Sequence, residues 1–157
     1  MPLNAQTLKQ GLASRWMVAD GGSHPSSPAE SADRFAAVVS QWFATAVAAG
    51  APCQTAQVRR PQLSMQALGA FGAQNPQASG QLLGLAVAAY IAGQVFGPGV
   101  ASFPPGVSLA QSALSLVFAD LESAVDARAE RIAQALTALA KTTPVIVSPA
   151  GTPVPIL

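Results

Sequence analysis

Between Arg60 and Asp120 the chain carries no Asp, Glu, Lys, Arg or His, so 59 consecutive residues, 61–119, have no formal charge to offer water. A typical soluble domain is about one quarter charged, whereas only 10% of these residues are, although half are apolar. The middle of the chain must therefore be covered, either by lipid or by protein. Its central run, QLLGLAVAAYIAGQVFGPG at 81–99, poses the choice most sharply, because it is long enough to cross a bilayer.

The run itself favours protein cover. It contains four glycines and Gln94, and alanine contributes little to insertion. No basic cluster or interfacial anchor flanks it, as a spanning helix requires. Gly80, Gly84, Ala88 and Ala92 recur at every fourth position, and Gly93 and Gly97 repeat the spacing. Such a stripe of small side chains lets two helix backbones approach closely, in lipid or in a water-soluble protein. We expect these four residues at an assembly interface; the alternative is a membrane-active protein such as a holin, spanning with 81–99.

The rest of the chain reads as helices. Leu8, Leu12, Trp16 and Ala19 share one face of a first amphipathic helix. Residues 20–27 form a turn-rich linker. Ser27, Pro28 and Glu30 then give an N-cap, a first-turn proline and a capping box, predicting a helix from Pro28 to about Ala49. Its apolar face carries Phe35, Val38, Val39, Trp42, Phe43, Ala46 and Val47. A short helix within 61–74 would bury Leu63, Ala67, Leu68 and Phe71. Asn75-Pro76 restarts the chain, and Ser108 with Gln111 offers another capping box. No Pro or Gly interrupts 109–141, which predicts one long helix with Phe118, Leu121, Val125, Ile132, Leu136 and Leu139 along a coiled-coil-like stripe. The fold class expected is mainly α: a helical bundle of about four to five helices over residues 1–142, with an extended C-terminal β-hairpin or arm at 143–157.

That arm, TTPVIVSPAGTPVPIL, changes character. Val145, Ile146 and Val147 favour strand, and SPAG favours a turn. Pro153 and Pro155 remove donors from one edge, so Val154 and Ile156 keep theirs on the other and the strand pairs on one side. An isolated hairpin is marginal in water, and pairing with a neighbouring subunit's sheet would dock it. Val145, Ile146, Val147, Val154 and Ile156 are accordingly expected at an interface, in cis or in trans.

The inventory for chemistry is short. His24 stands alone in a linker, and Cys53 has no histidine or basic neighbour to activate it and no second cysteine for a disulfide. Glu122, Asp126 and Glu130 recur in steps of four, yet lack the nearby histidine of a helical metal site. The glycines lack the lysine and hydroxyl of a phosphate loop. We expect no enzyme activity, no metal or other cofactor and no small-molecule substrate. A net charge of +1 gathers neither nucleic acid nor an anionic membrane surface. The N-terminal stretch lacks the apolar run of a secretory signal.

The last third, SLAQSALSLVFADLESAVDARAERIAQALTALAKTTPVIVSPAGTPVPIL, resembles the minor virion components of tailed bacteriophages, small Ala-rich chains with helices followed by a Val/Thr/Pro/Gly tail. The resemblance implies a structural subunit of a tail, baseplate or neck. It would be assembled in the bacterial host cytoplasm and reside in the virion, with copies of itself and other virion proteins as partners.

Overall fold

The computed structural model describes residues 2–19 and 21–157. They fold as three copies of one unit, each made of two helices followed by a β-hairpin. The first unit has α1 (Ala5–Gly11), continued by a π-helical turn at Leu12–Trp16, then α2 (Pro28–Phe43), β1 (Val47–Ala48) and β2 (Ala51–Pro52). The second has α3 (Arg60–Phe71), α4 (Pro76–Ile91), β3 (Val95–Phe96) and β4 (Gly99–Ala101). The third has α5 (Val107–Ala119), α6 (Val125–Lys141), β5 (Pro144–Val147) and β6 (Thr152–Pro155).

The correspondence is close. Pro28 to Pro76 and Val47 to Val95 are both steps of 48 residues; Pro76 to Val125 and Val95 to Pro144 are both steps of 49. The same steps relate side chains. Phe35, Leu83 and Ile132 are one buried set, and Ala46, Gln94 and Thr143 are another, all nearly inaccessible to water.

The units close on themselves. Each second helix packs on the first helix of the next unit: α2 on α3, α4 on α5 and α6 back on α1. The hairpins close as well. β3, β4, β5 and β6 form one antiparallel sheet and β1–β2 a second. Gln54 N donates to Val95 O (2.9 Å), tying β2 to β3. Val47 and Leu157 exchange both backbone bonds (3.1 and 2.8 Å), tying the end of β6 to β1. This closure leaves little free strand edge, which would otherwise invite pairing with other chains.

Local chemistry explains the element ends. Ser27 Oγ accepts from Glu30 N (3.1 Å), and Asn75 Oδ1 accepts from Ala78 N (2.8 Å), so α2 and α4 share a cap followed by proline. The Glu30 carboxylate turns back to Ser26 N and Oγ, both at 2.7 Å. The turn after β1 places Ala49 and Gly50 both at positive φ, the signature of a tight type I′ hairpin. Arg59 closes the C-terminal end of α4 by donating to the carbonyls of Ala92 and Ala89.

Several sequence expectations need correction. The helix expected to reach Ala49 stops at Phe43, because Val47 and Ala48 enter a hairpin. The run 81–99 is helical only to Ile91 and then turns into β3; among the described residues no helix is long and apolar enough to cross a membrane. The single helix expected over 109–141 is two. Asp120 accepts from Glu122 N (3.2 Å) and Ser123 N (3.0 Å), and binds Ser123 Oγ and Arg131. That side-chain-to-backbone turn competes with the helix and breaks it. Leu121, placed on the stripe, is exposed in the break. Ser108 lies inside α5, and Gly106 precedes the helix without a side-chain cap. In the first helix Leu8, Leu12 and Trp16 are buried but Ala19 is exposed, and Leu68 on α3 is exposed while Leu63 and Ala67 are buried. The coarse expectation of a mainly helical chain with C-terminal strands holds, and the described residues form six α-helices with small antiparallel sheets. The linker at 20–27 has no regular structure over Gly21–Ser27, and Asp20 lies outside the described residues.

Candidate functional site

The small-residue stripe lies inside the ring. Gly80 and Gly84 are buried between α4 and α5 of the same chain. A Cβ on Gly80 would lie 2.5 Å from the Leu114 carbonyl and Ser115 N, and one on Gly84 would lie 3.0 Å from Gln111. Ala88 is buried and Ala92 half-buried. The stripe also recurs. Ala32, Ala36, Ser40 and Ala44 occupy the same positions on α2, and Ala129, Ala133, Thr137 and Lys141 on α6. All but Ala44 and Lys141 of these are buried. The stripe is thus how each unit meets the next, a seam within one molecule.

The C-terminal strand residues are also placed in cis. Val145 opposes Ala101 on one side and Val154 on the other; Ile146 opposes Val100 and Pro153. Val145 and Ile156 are buried, Val147 and Val154 half-buried, and Ile146 is 38% exposed. The side pairing expected of this arm is supplied by β4, so it is an integral part of the closed sheet rather than a separate lace.

What sequence reasoning did not see is the opposite end of the ring. Trp16, Phe71 and Phe118 end the first helix of units one, two and three, and their rings meet. Trp16 and Phe71 stack at 5.5 Å, Phe71 and Phe118 at 6.5 Å, and Trp16 and Phe118 lie 6.4 Å apart. Phe35 packs edge-on against Trp16 at 5.0 Å. These aromatics line one end of a solvent-open cavity of about 550 Å³, bordered also by Met17, Pro25, Val125, Arg128 and Ile132. Its size lies in the range of small-ligand pockets.

One position around this triad departs from the repeat. Ser31, Ser79 and Arg128 are equivalent by the steps of 48 and 49 residues. Ser31 Oγ accepts from Trp16 Nε1 (2.9 Å), and Ser79 is buried. Arg128 replaces a small hydroxyl with a guanidinium whose buried Nε meets no acceptor among the described residues. A buried donor without a partner costs about 1–3 kcal/mol, more for a charged group. The signal for this site in the sequence was the repeat of Pro28 and Pro76 behind Ser27 and Asn75, together with the aromatics closing each first helix.

The remaining sequence candidates lie outside this cavity. His24 is exposed. Cys53 is buried; desolvation raises its pKa, and its Sγ lies 3.4 Å from Gln94 Oε1. That Oε1 also accepts from Thr55 Oγ1 (2.6 Å), Gln94 Nε2 donates to Tyr90 O (3.0 Å), and Tyr90 Oη donates to Ala56 O (2.8 Å). Burial pushes the Tyr90 phenol far above its ordinary pKa. The cluster ties α4 to both neighbouring hairpins. Glu122 is exposed, and Asp126 and Glu130 bind Lys9 at 2.7 and 3.4 Å. No group of three possible metal ligands occurs among the described residues. No family model matches the chain, and no curated protein or solved structure is found to be similar to it.

Proposed function

We propose that the chain is a non-enzymatic structural subunit of a multi-subunit assembly, a virion component of a tailed bacteriophage belonging to the tail, baseplate or neck. The observation that supports this reading is the outer surface of units two and three over the uncharged stretch. Met65 and Leu68 on α3, Leu82 and Leu85 on α4, and Leu109 and Leu116 on α5 are exposed, with Met65, Leu109 and Leu116 more than 70% so. Scattered apolar residues are ordinary on a surface. Here they stand on three helices, with no charged residue anywhere in the chain between Met65 and Leu116, and that combination marks an interaction surface. Because the C-terminal strands are satisfied in cis, the helices carry the contacts to copies of the chain and to other virion proteins.

Native mass measurement and electron microscopy of the purified chain test this. A defined oligomer, ring or tube is expected, and Leu109→Glu with Leu116→Glu should return it to monomers with unchanged helix content. A chain that stays monomeric at high micromolar concentration overturns the reading.

A further inference from the structure

We propose that the cavity at the aromatic end of the ring binds a small, flat, apolar molecule carrying a carboxylate. Three features of the site lead there. Its floor is a triad of rings, Trp16, Phe71 and Phe118, one from each unit, and two of the three pairs are stacked within 22° of parallel. The half-buried rings of Phe71 and Phe118 leave apolar surface against which a planar ligand buries area at low conformational cost. The cavity, about 550 Å³, is large enough for such a molecule.

The second feature is the break in the repeat. The positions equivalent to Arg128 are Ser31 and Ser79, so a core built only for packing has a small residue available there. Unit three instead carries a guanidinium on the cavity wall, and its buried Nε meets no acceptor among the described residues. The two terminal nitrogens of a guanidinium form a fork that receives both oxygens of a carboxylate. The Arg128 Nε is sealed from the cavity, so its two terminal nitrogens, which pair with no carboxylate among the described residues, are the fork that faces a ligand.

The third feature is the electrostatic setting. Arg128 lies in the first turn of α6, whose unsatisfied N–H groups favour negative charge. Nearby acids are committed elsewhere: Glu30 to Ser26 and Arg34, and Asp120 to Ser123 and Arg131. An anionic ligand head therefore meets a cation not already spent on these carboxylates. Arg128 positions the ligand by charge and the aromatic triad supplies the apolar contact; no bond is made or broken.

The test uses the whole chain with 2-naphthoate and its uncharged analogue 2-naphthylmethanol. Titrations are followed by calorimetry and by the indole N–H resonances of Trp16 and Trp42. Trp42 serves as internal control, because its Nε1 donates to Asn4 O away from the cavity. Naphthoate should bind and move the Trp16 resonance while leaving that of Trp42 in place. Arg128→Gln should weaken naphthoate about tenfold to a hundredfold, the worth of a charge-assisted hydrogen bond. Its affinity for naphthylmethanol should change by no more than about twofold. Arg128→Lys, keeping charge without the fork, should fall between wild type and Gln. Unchanged melting curves would show that the variants are folded. Failure of naphthoate to bind, equal affinity in Arg128→Gln, or a shift at Trp42 and not Trp16 each overturns the proposal. The oligomer measurement described above is independent of all three outcomes.

Discussion

Two seams of the ring join the same kinds of helix by opposite means. Between α4 and α5, glycines bring the backbones together, and the cross-links are neutral: Gln111 Nε2 donates to Gln81 O (3.1 Å), and Ser115 Oγ to Gln77 O (3.3 Å). Between α6 and α1 the glycine positions are alanines, Ala129 and Ala133, and Lys9 binds Asp126 and Glu130. The α2–α3 seam has its own ion pair, Arg60 with Asp33 at 3.0 Å. Asp33, Gln81 and Glu130 are equivalent residues of the repeat, so one structural position holds acid, amide and acid in turn. The charge-free stretch is therefore a property of the second unit and its seam, imposed on a scaffold that elsewhere uses charge. Close approach takes over where ion pairs are excluded.

That contrast is broken most severely at Gly80. Gly80→Ala places a methyl 2.5 Å from backbone atoms of Leu114 and Ser115, which cannot rotate aside. Overpacking of this kind costs about 3 kcal/mol, or roughly 6–12 °C in Tm for a chain of this length. Gly84→Ala, at 3.0 Å from Gln111, should cost about 1 kcal/mol. Gly69 is the control. It lies in α3 with nothing within 4 Å of its virtual Cβ, so Gly69→Ala should raise stability by about 0.5–1 kcal/mol through helix propensity alone. Thermal melts of the three variants rank the effects; a neutral Gly80→Ala would show that the seam has room.

A second difference separates the units by pH. Glu30 is held at about pKa 2, chiefly by the Ser26 hydroxyl, then by Ser26 N–H and Arg34, against an ordinary value of 4.5. Asp120 is lowered in the same direction, by Ser123 first and then Arg131. A carboxyl whose folded pKa is depressed contributes stability that is fully present above its unfolded value and lost as pH falls towards its folded value. For Glu30 that window runs from 4.5 down to about 2. The helix α4 starts instead from the neutral Asn75. Hydrogen exchange at about pH 3 should therefore show earlier loss of protection at the starts of α2 and α6 than at the start of α4. Glu30→Gln should flatten the acid limb of stability in unit one. Uniform loss across the three starts would show that the carboxylates do not set it.

The legible and illegible parts of this fold divide along the same physical lines. Two helix starts were readable, because Ser27-Pro28 and Asn75-Pro76 act through residues adjacent in sequence, whereas Ser108 and Gln111 proved not to cap α5. The small stripe at 80–92 was readable as a close-approach surface, but periodicity cannot say whether its partner helix belongs to the same chain. The answer lay in the recurrence of that stripe at Ala32–Ala44 and Ala129–Lys141, hidden because the units share spacing and side-chain size rather than residue identity. The break at Asp120 was missed because neither Pro nor Gly marks it; an Asp with a Ser three residues on does. The cavity left only an indirect trace in the sequence, the aromatic that closes each first helix. Trp16, Phe71 and Phe118 read as separate helix faces until the ring brings three distant ends together.

The smallest expected effect belongs to the charged seam. Lys9 is half-buried but reaches carboxylates that are 68% and 50% exposed, Asp126 and Glu130, and these partners raise its pKa. A raised lysine contributes stability that is present below its unfolded pKa and lost as pH rises through the folded one. Exposed pairs of this kind are weak and screened by salt. Lys9→Met keeps the aliphatic stem that covers the seam and removes only the charge. It should lower Tm far less than Gly80→Ala does. The deficit should shrink towards zero at about 1 M salt, where screening acts over roughly 3 Å. The Gly80→Ala deficit, being steric, should persist at that salt concentration. A salt-resistant loss in Lys9→Met would mean that the seam between units three and one is held by packing, as the neutral seam is.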